Sequence, residues 1–245
     1  MSGRGRRRHG ARGARCAAPI AALCAVVLLG ACDKAASVAA RAGLVSFESV
    51  CARQLPPTRV DITTEPVTYE IDTGRSYREL TALSPDAGAL DRALGLTLTQ
   101  IGYVSLTELQ GIEQSRGGRV CVHPVIRITL ALKPMTVYVA SEYHGDACRE
   151  AVILEHERKH VAVYSEFIGL LARELRAAVT ADFGDTIFYA TDRAQAERAI
   201  RDRLGVYLEP MLHDGMQRIK ERQRSVDSPE EYARVAAACG GMNID

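Results

Sequence analysis

Hydrophobic residues in this chain follow two periods, one in each half of its foldable part. Between residues 59 and 71, Val60, Ile62, Val67, Tyr69 and Ile71 alternate with polar residues, as half-buried strands do. Residues 77–83 predict a short helix, and Ser84-Pro85-Asp86 starts another that runs to about Leu94. Leu98, Ile101, Tyr103 and Val104 predict a strand, and Gly117-Gly118 a turn. Residues 120–132 and 135–140 predict a pair of strands around Lys133-Pro134. From Cys148 onward the period is helical. Asp182-Phe183-Gly184-Asp185 breaks that helix, Thr191-Asp192 caps a second running to about Arg224, and Ser228-Pro229 opens a last one. The expected fold is α+β: a small, mostly antiparallel sheet packed on one long helix and followed by a C-terminal helical hairpin. It fills one domain, 57–245, mainly sheet over 57–147 and mainly helical over 148–240.

Composition fits a single domain, since 245 residues with 47% apolar and 25% charged positions are enough for one core. Residues 1–31 stand apart from it. Arg4, Arg6, Arg7, Arg8, Arg12 and Arg15 precede a short apolar run that ends in small residues, the form of an export signal. Leu29-Gly30-Ala31-Cys32 has the form of a lipobox, with Cys32 as the lipidated first residue of the mature chain; an ordinary secretory signal is the competing reading. Residues 32–56 then form a tether with an irregular end at Pro56-Pro57. Without six of its 31 basic residues the chain keeps 25 against 30 acidic ones, a formal charge of −5, which gives no reason to expect nucleic acid.

Export also bears on the cysteines. Cys51, Cys121, Cys148 and Cys239 remain for an oxidising compartment and make two disulfides. Three connectivities exist, of which Cys121–Cys148 with Cys51–Cys239 is the favoured one. A four-Cys zinc site is the competing reading, but no Cys-x-x-Cys pair occurs.

The chemistry concentrates in His156-Glu157-Arg158-Lys159-His160. On a helix, positions i and i+4 stand about 40° apart and roughly 6 Å along the axis, so both imidazoles reach one metal ion with Glu157 beside it. Val152, Ile153, Val163, Tyr164, Phe167, Leu170 and Leu171 share the face of the two His residues, while Arg158 and Lys159 fall outside it, toward solvent. The competing reading has two core imidazoles, each satisfied by a backbone carbonyl. Zinc needs a third protein ligand and a water. Glu166 points away from the pair. If the two long helices form a hairpin with equal arms, Glu209, His213 and Asp214 come level with it, and His213 is taken as the third ligand although its helical phase opposes it. His123 and His144 are weaker choices.

Residues 67–80 (Val-Thr-Tyr-Glu-Ile-Asp-Thr-Gly-Arg-Ser-Tyr-Arg-Glu-Leu), the strand end Val137-Tyr138-Val139-Ala140 and the helix bearing His156-Glu157 and His160 together resemble an uncharacterised bacterial family of exported zinc-dependent peptidases. The resemblance covers about residues 58–180. It implies a minimal zincin-like arrangement: a sheet packs on the motif helix, and its edge strand takes a peptide or protein substrate by strand addition. One Zn2+ would sit on His156, His160 and a third ligand, with Glu157 as the general base. The alternatives are a metal-binding lipoprotein without activity, and a partner-binding protein that uses its C-terminal helices.

Overall fold

The computed structural model describes residues 45–84, 92–115 and 117–242, which form two compact units, one ending at Arg53 and the other beginning at Gln54. The signal, Cys32 and most of the tether lie outside the described residues, as does most of the helix expected from Ser84-Pro85-Asp86. The tether's irregular end is instead a helix, α1 (Phe47–Gln54), with Phe47, Val50 and Cys51 buried at i, i+3 and i+4. The Ser46 hydroxyl accepts the Ser49 N–H at 3.1 Å and starts it.

The second unit is α+β and is built on one strand. Strands β1 (Arg59–Thr64) and β2 (Glu70–Asp72), helix α2 (Tyr77–Leu83) and strand β3 (Gly95–Glu113) lead to β4 (Val120–Val139), which every other strand of the sheet joins. Along one edge of β4, β3 runs antiparallel from Gly95 opposite Val139 to Glu113 opposite Val120. Along the other, three short strands lie end to end: β5 (Phe188–Ala190) antiparallel at residues 120–122, then β1 parallel at 125–130 and β2 parallel at 136–138. The five-stranded sheet is therefore mixed, not mostly antiparallel. Parallel pairing was hidden because β1 and β2 reach β4 across a long connection that leaves no local turn signal.

Nor do residues 120–140 form two strands. Leu132 pairs with Ile101 and Met135 with Thr99, so β3 continues past Lys133-Pro134, and the extra residue is absorbed as a bulge. The bulge moves the inward face from Val120, Val122, Ile126, Ile128, Leu130 and Leu132 to Met135, which joins the same core.

That core faces two long helices. Helix α3 (Ala147–Phe183) has 37 residues, about 55 Å of helix, and begins where the Asp146 carboxylate accepts the Arg149 N–H at 3.1 Å. Helix α4 (Arg193–Gln223), capped by Asp192, returns beside it and buries Ile200, Leu204, Leu208 and Ile219. The helices approach closely at Gly215, where a Cβ would lie 3.1 Å from Leu171 Cδ2. The three-residue β5 between them is too short for a periodic signal. Helix α5 (Pro229–Ala237), capped by Ser228, closes the chain, and Cys239 in the 3-10 turn after it is bonded to Cys148 at the start of α3.

This bridge excludes both favoured pairings, although Cys51 and Cys121 are disulfide-bonded too. Cys121 stands at the first end of β4, and α3 starts beyond the other end, roughly 60 Å along a strand of this length. The tie between chain segments was therefore drawn from the wrong end of the strand.

Candidate metal centre

Helix α3 carries the pentapeptide over the start of β3, where His156, Glu157 and His160 are all buried. The bend after α4 brings in a third group, Asp227. His156 Nε2 lies 3.2 Å from His160 Nε2, and Asp227 Oδ1 lies 3.2 Å from each of them. These are the ligand atoms of a group that could hold a metal ion.

The opposite ring nitrogens decide what those atoms offer. His156 Nδ1 faces Glu231 Oε1 at 3.2 Å, and His160 Nδ1 faces Gln223 Oε1 at 2.7 Å. The Gln223 amide nitrogen donates to the His160 carbonyl at 3.2 Å, so its oxygen is the atom turned to the ring. Both partners are acceptors, which places a proton on each Nδ1, so that in the neutral rings each Nε2 carries a lone pair. With neutral rings, two imidazole lone pairs and a carboxylate oxygen thus converge on one point, an arrangement that a metal ion stabilises and that, without one, protonation of the rings stabilises instead. Four-coordinate zinc, with ligands about 2.0–2.1 Å away, spaces them roughly 3.3 Å apart, which the 3.2 Å triangle matches.

In the absence of an ion, burial disfavours charge on both imidazoles, but Asp227 and Glu157 outweigh it and raise their pKa above the ordinary value. Burial likewise opposes ionisation of Asp227, and the two imidazoles overcome it to hold that carboxyl well below the usual range.

Glu157 is set from the sheet side. Its Oε2 accepts the Thr97 hydroxyl at 2.7 Å, and burial pushes its carboxyl up. Gly95, opening β3, has no room for a side chain: a Cβ there would lie 2.5 Å from Glu157 Oε1 and 2.7 Å from Ile153 Cγ2. Glu157 and the two His residues open on a cleft of about 440 Å³ whose walls include Leu94, Ile153, Tyr164, Val235 and Met242.

The other expected ligands lie elsewhere. His213 is exposed on α4 and does not line the cleft, which corrects the assignment of the third ligand to it. Glu209 and Asp214 are exposed beside it, and Glu166 is exposed with Arg222 at 3.7 Å. His123 is buried on β4 against the Pro56 carbonyl at 2.7 Å, and His144 is exposed. The equal-arm hairpin failed because α4 starts beyond the end of α3: Asp182 meets Arg203, and His160 meets Gln223, about ten positions later than expected. Arg158 faces solvent as predicted, whereas Lys159 is bonded to Glu231. Sequence reasoning missed Asp227, Gln223, Glu231, Thr97 and Gly95. Only Asp227 had a signal, as a potential ligand directly before the Ser228-Pro229 helix start.

Comparison with family models, with curated proteins and with solved structures finds no match to this chain.

Proposed function

We propose that this protein is an exported zinc-dependent peptidase of a zincin-like type, with His156, His160 and Asp227 as the metal ligands and Glu157 as the general base. The observation that carries the reading is the 3.2 Å triangle of two imidazole nitrogens and one carboxylate oxygen with a buried glutamate next in sequence to one of its corners. Bound there, zinc would supply Lewis acidity and make a water nucleophilic near neutral pH. Glu157 accepts the proton of the attacking water and returns it to the leaving amine. The Thr97 hydroxyl keeps Glu157 Oε2 in place. Asp227 supplies the charge that two neutral imidazoles lack. The extended substrate would add to the edge of the sheet along β3, which has no second neighbour among the described residues.

Two disulfides fit the oxidising compartment that the N-terminal signal implies. No helix among the described residues is long and apolar enough to cross a membrane. Attachment to a membrane would be through lipid at Cys32.

The test pairs metal analysis with peptide cleavage. Purified protein is expected to hold one zinc, and His160→Ala to lose it. Glu157→Gln should keep the metal and lose about 10²–10⁴-fold in cleavage of a peptide library, the usual contribution of a general base. Zinc retained by wild type without any cleavage would instead mark a metal-binding lipoprotein, and no stoichiometric metal would end the reading.

A further inference from the structure

The pentapeptide carries Lys159, a charged residue with no evident reason to stand between Glu157 and His160. Its Nζ donates to Glu231 Oε1 at 2.7 Å. The same oxygen receives Arg234 at 2.8 Å and faces His156 Nδ1 at 3.2 Å, while Arg234 Nε holds Oε2 at 2.9 Å. We infer that Glu231, fixed by Lys159 and Arg234, is a positioning residue for His156: it accepts the Nδ1 hydrogen bond, sets the tautomer and turns Nε2 toward His160 and Asp227. The inference rests on the metal reading of the site.

A second observation shows that Glu231 has a use other than helix capping. Ser228-Pro229-Glu230-Glu231 has the sequence of a capping box, in which the glutamate would reach back to the N-cap N–H. In α2 both halves of such a box form, with Glu79 Oε2 accepting the Ser76 N–H at 2.8 Å. In α5 the Ser228 hydroxyl accepts the Glu231 N–H at 3.2 Å, but the Glu231 carboxylate is spent on Lys159, Arg234 and His156. Its side chain is 13% exposed and that of His156 10%, so the bond between them is sheltered from water, while Lys159 and Arg234 reach the carboxylate from the solvent side. The other imidazole, His160, is oriented by the neutral Gln223. Of the two ligand rings, His156 thus has the anionic partner, the type that makes an imidazole the more basic donor. Lys159 acts through Glu231, which explains a spacer that solvent exposure alone does not.

The test measures zinc dissociation constants by chelator competition, together with the visible spectrum of the cobalt-substituted protein. Glu231→Ala is expected to weaken zinc about 10–100-fold, as loss of a partner behind a metal-bound His does. Glu231→Gln should rescue part of that, because Lys159 and Arg234 Nη2 both donate at the Oε1 position and keep the amide oxygen toward the ring, at the loss of the bond from Arg234 Nε. Lys159→Ala should weaken zinc less, and Lys159→Ala with Glu231→Ala no more than Glu231→Ala alone, since both act on one bond. The cobalt spectrum should shift in Glu231→Ala and stay like wild type in Glu231→Gln. Unchanged affinity and spectrum in a folded Glu231→Ala, or additive effects in the double variant, would overturn the inference alone. If His156→Ala kept its zinc, the metal reading itself would fall.

Discussion

The two halves of α3 belong to one uninterrupted helix and bury opposite kinds of side chain. Beyond Phe167 the buried residues are Phe167, Ile168, Leu171, Ala172, Leu175, Val179 and Phe183; before it they are Ile153, His156, Glu157 and His160. The first set meets β4 and α4 in hydrocarbon contact, which stabilises in proportion to area and needs no particular geometry. The polar members of the second set are tolerated because each side chain finds a partner from another element: Thr97 from β3 for Glu157, Gln223 from α4 for His160, Glu231 from α5 for His156, and Asp227 from the bend between those helices for both rings. Stability is lodged in the distal half, and the proximal half is free to carry chemistry.

The largest effects should fall on the distal half and leave the site intact. Leu175 is fully buried, and Leu175→Ala should cost about 2–5 kcal/mol in denaturant unfolding, the range for a leucine removed from a packed core. The fraction that remains folded should bind zinc as tightly as wild type. A loss of metal affinity in step with the loss of stability would show that the halves are coupled.

The Cys148–Cys239 bridge bears on the other half. It joins residues 91 apart in sequence and ties the end of α5 to the start of α3, so Cys148→Ser with Cys239→Ser should cost about 2–4 kcal/mol. Unlike Leu175→Ala, it should also weaken zinc, because α5 and the bend before it carry Glu231 and Asp227. Calorimetry and chelator competition on one preparation separate the two. A stability loss with unchanged affinity would show that α5 stays in place without its bridge.

How much of this was legible followed from how local each feature is. The phase of α3 could be read because Phe167 and Leu171 repeat within one helix, and His156, Glu157 and His160 came with them. Asp192 and Ser228 were legible as caps for the same reason. The pairing of β4 with β1 and β2 is non-local, and the short β5 carries too few residues for a period. Asp227 depended on how far α4 overshoots α3, a quantity set by packing between the helices and by no residue near it. Lys159 was assigned to solvent from its helical angle, correctly for the helix alone, because its partner comes from a different helix.

The smallest change that reaches the site is a methyl group at Gly95. In an extended strand, Gly→Ala ordinarily stabilises by about 0.4–1 kcal/mol through the unfolded chain. Here the methyl carbon would lie 2.5 Å from Glu157 Oε1, 2.9 Å from its Cγ and 2.7 Å from Ile153 Cγ2. Glu157 has little freedom to withdraw, being buried and bonded to Thr97 at 2.7 Å. Steric cost should therefore win, with a net loss of about 1–3 kcal/mol, as for other overpacked sites. Cleavage should fall along with it while zinc stays bound, since the three atoms nearest that Cβ belong to Glu157 and Ile153 and not to His156 or His160. In a Glu157→Ala background two of the three clashes vanish, and the same Gly95→Ala should cost less. Equal cost in both backgrounds would place the strain on Ile153 alone and leave Glu157 without close support from β3.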